Sequence, residues 1–238
     1  MKYLIDTHTH TVASGHAYST LLENLKWASE VGLTMMATTD HAPKMKNTTS
    51  AVFFPNLSIL PDEMYGVQIL KGVELNILDE QGEVDLKEDI LKKLDIAIAS
   101  IHAPYLLQQS EKVITKAYLN AMDNPYIDIL GHLGDLRFPV DCHSVMKKAK
   151  ETGTLIEMNN ASLYPGGFRA GSDVVMKELL TIAKKEKMPV TLGSDAHFVT
   201  KIGDFTLVDQ LLSEMEFPMD LVLNSEPERL LATLKRNQ

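Results

Sequence analysis

The sequence has one cysteine, Cys142, among its 238 residues. An internal disulfide is therefore excluded, and this composition is typical of a protein from a reducing compartment. The cysteine-rich ligand set of most structural zinc sites is excluded as well. Any metal ion would have to be held by nitrogen and oxygen atoms.

Long apolar runs are also missing. No stretch reaches the ~18 consecutive apolar residues of a transmembrane helix. The amino terminus has one lysine and then a short apolar stretch that ends at Asp6, which is too short for a signal peptide. We therefore expect a cytoplasmic protein with no membrane contact.

Basic residues are scarce, with 23 Lys and Arg against 32 Asp and Glu and a formal net charge of −9. This balance makes nucleic acids and acidic membranes poor candidates for partners. It does not exclude a small phosphorylated substrate, because bound divalent cations would reverse the sign of the field inside a pocket. The sequence does not indicate an oligomeric state.

What the sequence does have is an alternation of strand and helix patterns. Strands are predicted at residues 1–5, 33–39, 67–75, 95–101, 126–131, 154–158 and 189–193. Helices are predicted at residues 20–31, 86–94, 111–122, 142–151, 172–187, 205–215 and 227–235. Asp141 and Ser172 are expected to cap the helices that follow them. Most strands are continuous apolar runs, which indicates a parallel sheet covered by helices on both faces.

Polar residues follow the carboxyl ends of six of the seven predicted strands. An open sheet places its site at one switch point between neighbouring strands. A closed barrel instead collects all its strand ends around one mouth. No linker-like segment divides the chain. We therefore predict an α/β fold, a distorted TIM-like (β/α)7 barrel, formed by residues 1–238 as a single domain.

Histidines dominate these strand ends. His8 and His10 lie two positions apart in an extended segment, so both imidazoles project to the same side, as two ligands of a divalent ion would. The other histidines on or just beyond strand ends are His16, His41, His102, His132 and His197. The eighth histidine, His143, falls in a predicted helix, and we expect it on the surface.

Two carboxylates complete the predicted ligand set. Glu74, between Val73 and Leu75, and Asp195 would neutralise bound cations. Asp40 is either a ligand or an acceptor that orients a neighbouring histidine, and the second role is favoured. Nine nitrogen and oxygen ligands exceed the needs of one tetrahedral ion and match two or three ions that share bridging carboxylates. Zn²⁺ is the expected metal, and Mn²⁺ or Fe²⁺ would also suit these ligands.

Arg169 is the predicted substrate contact. It follows a glycine-rich turn after the sixth strand, and a guanidinium fork can grip phosphate oxygens. Residues 42–66 are too long for a plain connection and are predicted to be a loop. This loop could cover the mouth of the barrel and contact the leaving group through Lys44, Phe53 or Phe54.

As a set, these residues resemble the PHP domain family, named for polymerase and histidinol phosphatase. The family pattern is H-x-H with a third histidine shortly after, then T-D-H, a glutamate, two separate histidines and a late D-x-H. Here it stands as His8-Thr9-His10 with His16, Thr39-Asp40-His41, Glu74, His102, His132 and Asp195-Ala196-His197. The resemblance covers residues 5–203. The short chain and residues 157–162 are similar to the stand-alone YcdX-like phosphatase branch.

The resemblance implies a trinuclear centre in a seven-stranded distorted barrel. The implied ligand groups are His8, His10, Glu74 and Asp195 for one ion, Glu74, His102 and His132 for a second, and His16, His41 and His197 for the third. The implied activity is hydrolysis of a small-molecule phosphomonoester by a metal-bound hydroxide, with Arg169 neutralising phosphate charge.

Other functions stay open at this point. An amidohydrolase also begins with H-x-H, but it usually needs a lysine at the end of strand four, where this chain has Ser100-Ile101-His102. Histidinol phosphate or a nucleotide phosphodiester would keep the chemistry and change the substrate. A non-catalytic metal-binding module is the last alternative, and the complete ligand set argues against it.

Overall fold

Seven parallel strands form the centre of the computed structural model, which describes residues 3–235. The strands in chain order are β1 (Ile5–Asp6), β2 (Met35–Thr38), β3 (Glu63–Met64), β4 (Val67–Asn76), β5 (Ile96–Ser100), β6 (Ile129–Leu130), β7 (Leu155–Asn159) and β8 (Val190–Gly193). Neighbours pair in the order β1-β2-β4-β5-β6-β7-β8, and β3 adds an antiparallel strand beside β4. Residues 1–2 of the first predicted strand lie outside the described residues.

The helices are α1 (Leu21–Val31), α2 (Phe53–Asn56), α3 (Glu88–Leu91), α4 (Glu111–Ala121), α5 (Cys142–Thr152), α6 (Ser172–Glu186), α7 (Thr206–Glu214) and α8 (Pro227–Thr233). Asp141 caps α5 as predicted, accepting from the backbone N–H groups of His143 and Ser144. The predicted cap at Ser172 is wrong. Gly171, at φ +92°, precedes α6 and places Ser172 inside the helix.

The two ends of the parallel sheet meet and nearly close it into a barrel. Beyond β1 and β8, the backbone N–H of Asp195 donates to the carbonyl of His8 (2.9 Å), and that of His10 donates to the carbonyl of Ala196 (3.0 Å). The Asn224 side-chain amide donates to Ile5 O and Leu192 O and so joins the two strands. These contacts confirm the predicted distorted barrel with seven parallel strands.

The C-terminal segment fills one end of this barrel. Leu230 and Leu234 belong to a buried cluster with Ile5, Ile96 and Leu155, which begin their strands. The amino ends of the strands are therefore sealed by apolar contacts, and the opposite end forms the mouth. Within residues 3–235, no helix has the length and apolar character needed to cross a membrane.

Residues 42–66 are not the plain loop that the sequence predicts. They contain α2 and β3, and the fully buried Phe54 anchors the segment in the main core. Phe54 is therefore directed away from any substrate, contrary to one of the predicted contacts. Met45 is the residue of this segment that lines the cavity at the mouth.

Cys142 provides a chemical test of the packing of α5. The residue is buried, and burial is the main cause that raises the pKa of its thiol to about 12. We expect Ellman's reagent to leave the native protein unmodified and to titrate one thiol after unfolding in guanidinium chloride. Rapid modification of the native protein would mean that α5 is packed differently.

Candidate metal centre

The centre lies at the mouth of the barrel and surrounds Glu74, a fully buried residue of β4. Glu74 Oε1 lies 2.8 Å from His132 Nε2 and 3.2 Å from His102 Nε2. Glu74 Oε2 lies 2.7 Å from His41 Nδ1. One carboxylate therefore joins histidines from three different strand ends, because parallel strands bring their carboxyl ends to the same side.

A second group consists of ligand atoms from His8, His10 and Asp195 together with Glu74 Oε2. His8 Nε2 lies 3.1 Å from His10 Nε2, 3.5 Å from Glu74 Oε2 and 3.7 Å from Asp195 Oδ1. His10 Nε2 lies 3.6 Å from Glu74 Oε2 and 3.2 Å from Asp195 Oδ1. Ligands about 2.1 Å from a tetrahedral ion are about 3.4 Å apart. These four side chains therefore have the spacing of a single tetrahedral site.

The remaining predicted histidines approach each other next to this group. His16 Nε2 and His197 Nε2 are 3.0 Å apart, and the ring of His41 stacks on that of His16 with centroids 4.9 Å apart. Three overlapping sets in the described residues have ligand atoms close enough to hold an ion: His10 with His41 and His197, His8 with His10 and Glu74, and His41 with Glu74 and His102. The fold thus brings together all nine predicted ligands.

Hydrogen bonds behind the histidines determine which ring nitrogen is free. His8 Nδ1 is 2.7 Å from Glu157 Oε1, and His102 Nδ1 is 2.8 Å from Asn76 Oδ1. His16 Nδ1 and His197 Nδ1 each lie 3.0 Å from a backbone carbonyl oxygen. Since these oxygens only accept, Nδ1 carries a proton in each ring, and Nε2 is the nitrogen that is left to face the centre.

His10 reaches the same tautomer through Ser14. The Ser14 hydroxyl donates to Asp40 Oδ1 at 2.6 Å, so it can only accept from His10 Nδ1, which is 3.0 Å away. Asp40 also accepts from the backbone N–H and the hydroxyl of Thr11. Both carboxylate oxygens of Asp40 are thus engaged behind His10. This geometry favours the orienting role over the ligand role, which stays a prediction.

A cation fits between these rings. In the His8–His10 and His16–His197 pairs, the Nε2 atoms face each other at 3.1 and 3.0 Å, an arrangement that is repulsive unless a cation, either a proton or a metal ion, lies between them. Glu74 Oε2 and His41 Nδ1 are 2.7 Å apart, and His102 Nε2 is 3.2 Å from Glu74 Oε1, yet none of these three atoms, Glu74 Oε2, His41 Nδ1 and His102 Nε2, makes a well-directed hydrogen bond among the described residues. Buried polar atoms are normally paired, so these atoms are available to bind an ion.

The charges at the centre match this interpretation. Burial opposes ionisation of Glu74 and Asp195, yet neighbouring cationic groups hold the pKa of each carboxyl well below its usual range. Burial lowers the pKa of His10 well below its ordinary value, and the charges of His41 and His197 act in the same direction. The carboxylates are therefore ionised and His10 is neutral, as metal ligands must be.

His8 differs from His10. Burial would lower its pKa, but the negative charges of Glu157, Glu74 and Asp195 outweigh burial and raise the pKa well above its ordinary value. A cation is thus strongly favoured beside His8, either as a proton on the ring or as an ion at Nε2.

Three acceptors behind the histidines were not predicted from the sequence. Glu157 accepts from His8 and from the backbone N–H of His132, and Asn76 orients His102. Asp85 in turn accepts from the side-chain and backbone N–H groups of Asn76. The available signal for Glu157 was an acidic residue in the middle of a buried strand, β7.

Arg169 lies at the edge of the centre, where its Nη1 donates to Asp195 Oδ2 at 2.8 Å. The cavity above the centre has a volume of about 430 Å³. Among the described residues, its lining includes His16, His41, His102, Asp195, His197, Arg169, Arg137, Met45, Ala161, Tyr164, Gly167 and Phe168. Arg169 is therefore placed where the sequence predicted a substrate contact, next to the ligand atoms.

The sequence is similar to those of curated proteins named as probable phosphatases. A probable phosphatase from Clostridium novyi (strain NT) is 46% identical over 235 residues, which cover 99% of this chain and 96% of that protein. A probable phosphatase from Acetivibrio thermocellus is 42% identical over 238 residues, which cover 100% of this chain and 98% of that protein. The predicted enzyme class, a phosphoric ester hydrolase, is thereby confirmed.

The fold has a solved counterpart in the histidinol phosphate phosphatase of Lactococcus lactis, a structure complexed with zinc, L-histidinol and phosphate. The two chains share 16% sequence identity and superpose with a TM-score of 0.64, and the match covers 91% of this chain and 95% of that chain. At this level of identity, the similarity concerns the fold alone.

The PHP domain model matches residues 6–163, and the chain belongs to the PHP domain family.

Proposed function

We propose that the chain hydrolyses a small-molecule phosphomonoester at a centre of three divalent ions. One observation carries the proposal. Two pairs of imidazoles, His8–His10 and His16–His197, have facing Nε2 atoms, and the buried Glu74 Oε2 beside the first pair makes no well-directed hydrogen bond among the described residues. Such an array of nitrogen and oxygen atoms, open to a cavity, is typical of a catalytic rather than a structural metal site.

The ligands are divided in this proposal as the family resemblance implies. The groups are His8, His10, Glu74 and Asp195, then Glu74, His102 and His132, and finally His16, His41 and His197. Zn²⁺ is proposed because the spacing around the first group is that of a tetrahedral ion, with Mn²⁺ or Fe²⁺ as the alternatives. Because these ligands extend from residue 8 to residue 197, we treat residues 1–238 as one working domain.

The chain's own groups would bind and orient the substrate. When bound, divalent ions would supply an activated water at neutral pH and neutralise charge on the phosphate. Arg169 Nη1 donates to Asp195 Oδ2, and Nη2, which has no acceptor among residues 3–235, would donate to a phosphate oxygen. The described residues that line the cavity include no serine, threonine or cysteine, so a covalent phosphoenzyme on such a side chain is not part of the proposal.

The test is metal content by plasma emission together with p-nitrophenyl phosphate hydrolysis, on protein purified without a tag or chelator. We expect two to three equivalents of metal and turnover that is lost after chelation and regained on reloading. Bound metal without turnover on any phosphomonoester would favour a phosphodiesterase or a binding module. A protein that binds no metal after reloading would contradict the proposal.

Arg169→Ala is expected to raise KM for a phosphomonoester by about ten- to a hundredfold, because a charge-assisted contact to the phosphate is lost. Steady-state kinetics and metal analysis measure the two effects separately. Arg229→Ala on α8 is the matched control, since Arg229 also pairs with an acid but lies away from the cavity. Unchanged kinetics in the Arg169 variant would remove this residue from the site.

Histidinol phosphate is a second candidate substrate. It is favoured by the fold shared with the Lactococcus lactis enzyme, whose structure contains L-histidinol and phosphate. Comparing histidinol phosphate with alkyl phosphates of similar size, whose alkyl groups are uncharged, would separate this candidate from a general phosphomonoesterase.

A further inference from the structure

A second arginine shares the cavity with Arg169. The sequence has four arginines, and two of them, Arg137 and Arg169, line the cavity above the metal centre. Arg137 belongs to the loop that follows β6 and was not among the predicted site residues. The proposed phosphatase reaction employs Arg169 and leaves Arg137 without a function.

Arg137 is held in a defined orientation. Its Nε donates to Asp135 Oδ1 at 2.9 Å and its Nη2 donates to Asp135 Oδ2 at 2.5 Å. Asp135 is buried, whereas the Arg137 side chain is 46% exposed. The guanidinium also lies over the ring of Phe138, which is buried in the core. Asp135 thus fixes the Nε–Nη2 edge of the Arg137 guanidinium, and Nη1 has no acceptor among the described residues.

The loops that carry the two arginines are packed against each other. A Cβ added to Gly134 would lie 2.8 Å from Ser172 Cβ, so the loop after β6 contacts the start of α6 directly. A Cβ added to Gly171 would lie 2.6 Å from Leu136 Cδ1. These close contacts place the loop of Arg137 directly beside the loop of Arg169, so both side chains reach the same cavity. The hydrogen bond to Asp135 raises the pKa of Arg137, and the charge of Arg169 acts against this rise, as expected for neighbouring cations.

We propose that Arg137 binds a second anionic group on the leaving-group side of the substrate, so that the preferred substrates are phosphomonoesters that also carry a carboxylate or another phosphate. This inference rests on the proposed function. The reacting phosphate would occupy the metal centre and Arg169, and the cavity of about 430 Å³ has room for the rest of a small molecule. A fixed guanidinium fork is suited to either oxyanion.

The same geometry disfavours a cationic leaving group. Histidinol carries a protonated amine, which would be repelled by Arg137 if it lay on that side of the cavity. The two candidate substrate classes are therefore distinguished by one residue.

Matched substrate pairs test the inference with the metal-loaded enzyme. Glycerol 3-phosphate and 3-phosphoglycerate differ by one carboxylate, and fructose 6-phosphate and fructose 1,6-bisphosphate differ by one phosphate. We expect the wild type to prefer the more anionic member of at least one pair, and the pair identifies the anion. In Arg137→Gln this preference is expected to fall by about tenfold or more, mainly through KM.

Two further variants guard against a folding artefact. Arg137→Lys keeps the charge without the fork and should retain part of the preference, and Arg229→Gln should change nothing. A wild type that shows no preference for the more anionic member of either pair, or a preference that changes less than threefold in Arg137→Gln, would overturn the inference. If the loaded wild type hydrolyses no phosphomonoester at all, the proposed function fails instead.

Discussion

Glu74→Gln is expected to lose more than one equivalent of metal and to lower kcat for p-nitrophenyl phosphate by more than about a hundredfold. Glu74 is the carboxylate that lies between the histidine groups, with Oε1 near His102 and His132 and Oε2 near His41. Glutamine conserves the shape but removes the negative charge that two cations would share. The expected effect exceeds the roughly 10- to 100-fold change typical of residues that only orient a ligand.

The control for this variant is Glu228→Gln, an exposed glutamate on α8 at the sealed end of the barrel. It should keep wild-type metal content and turnover. Plasma emission on dialysed protein and initial rates measure both quantities, and circular dichroism monitors folding. Loss of one ion or none in a folded Glu74→Gln protein would show that Glu74 does not bridge two ions.

Glu157→Gln is expected to weaken metal binding by about 10- to 100-fold, although Glu157 itself is not a proposed ligand. Its Oε1 accepts from His8 Nδ1, and its Oε2 accepts from the His132 backbone N–H and from Asn159 Nδ2. In a glutamine, one of the two positions becomes an NH₂ group. Whichever way the amide is oriented, a buried donor then faces another donor and loses its partner.

Competition with a chromophoric zinc chelator would measure the change in affinity. Glu151→Gln at the exposed end of α5 is the matched control and should bind metal as the wild type does. The proposed role predicts that Glu157→Asp, which keeps the charge on a shorter side chain, retains more affinity than Glu157→Gln. Equal affinity in all three variants would mean that the tautomer of His8 is set in another way.

The barrel and its ligand set were predictable because both depend on local pattern. Continuous apolar runs indicate parallel strands buried on both faces, and the chain must then present every strand end at one mouth. Histidines at those ends are therefore brought together by topology, whatever the details of packing. Glu74 and the seven histidines of the centre were predictable in this way, whereas the limits of short elements such as β6 were not.

Contacts between residues far apart in the chain could not be predicted in this way. Asp135 fixes Arg137 locally, but the cavity that both arginines share forms only when the loop after β6 packs on α6. The selection of Nε2 as the free atom of His8 depends on Glu157, which is 149 positions away. Burial of Phe54 likewise depends on a core assembled from many elements. Residue type and spacing determine which side chains reach the mouth, whereas long-range hydrogen bonds and packing decide how each one is oriented, because those interactions exist only once the barrel has closed.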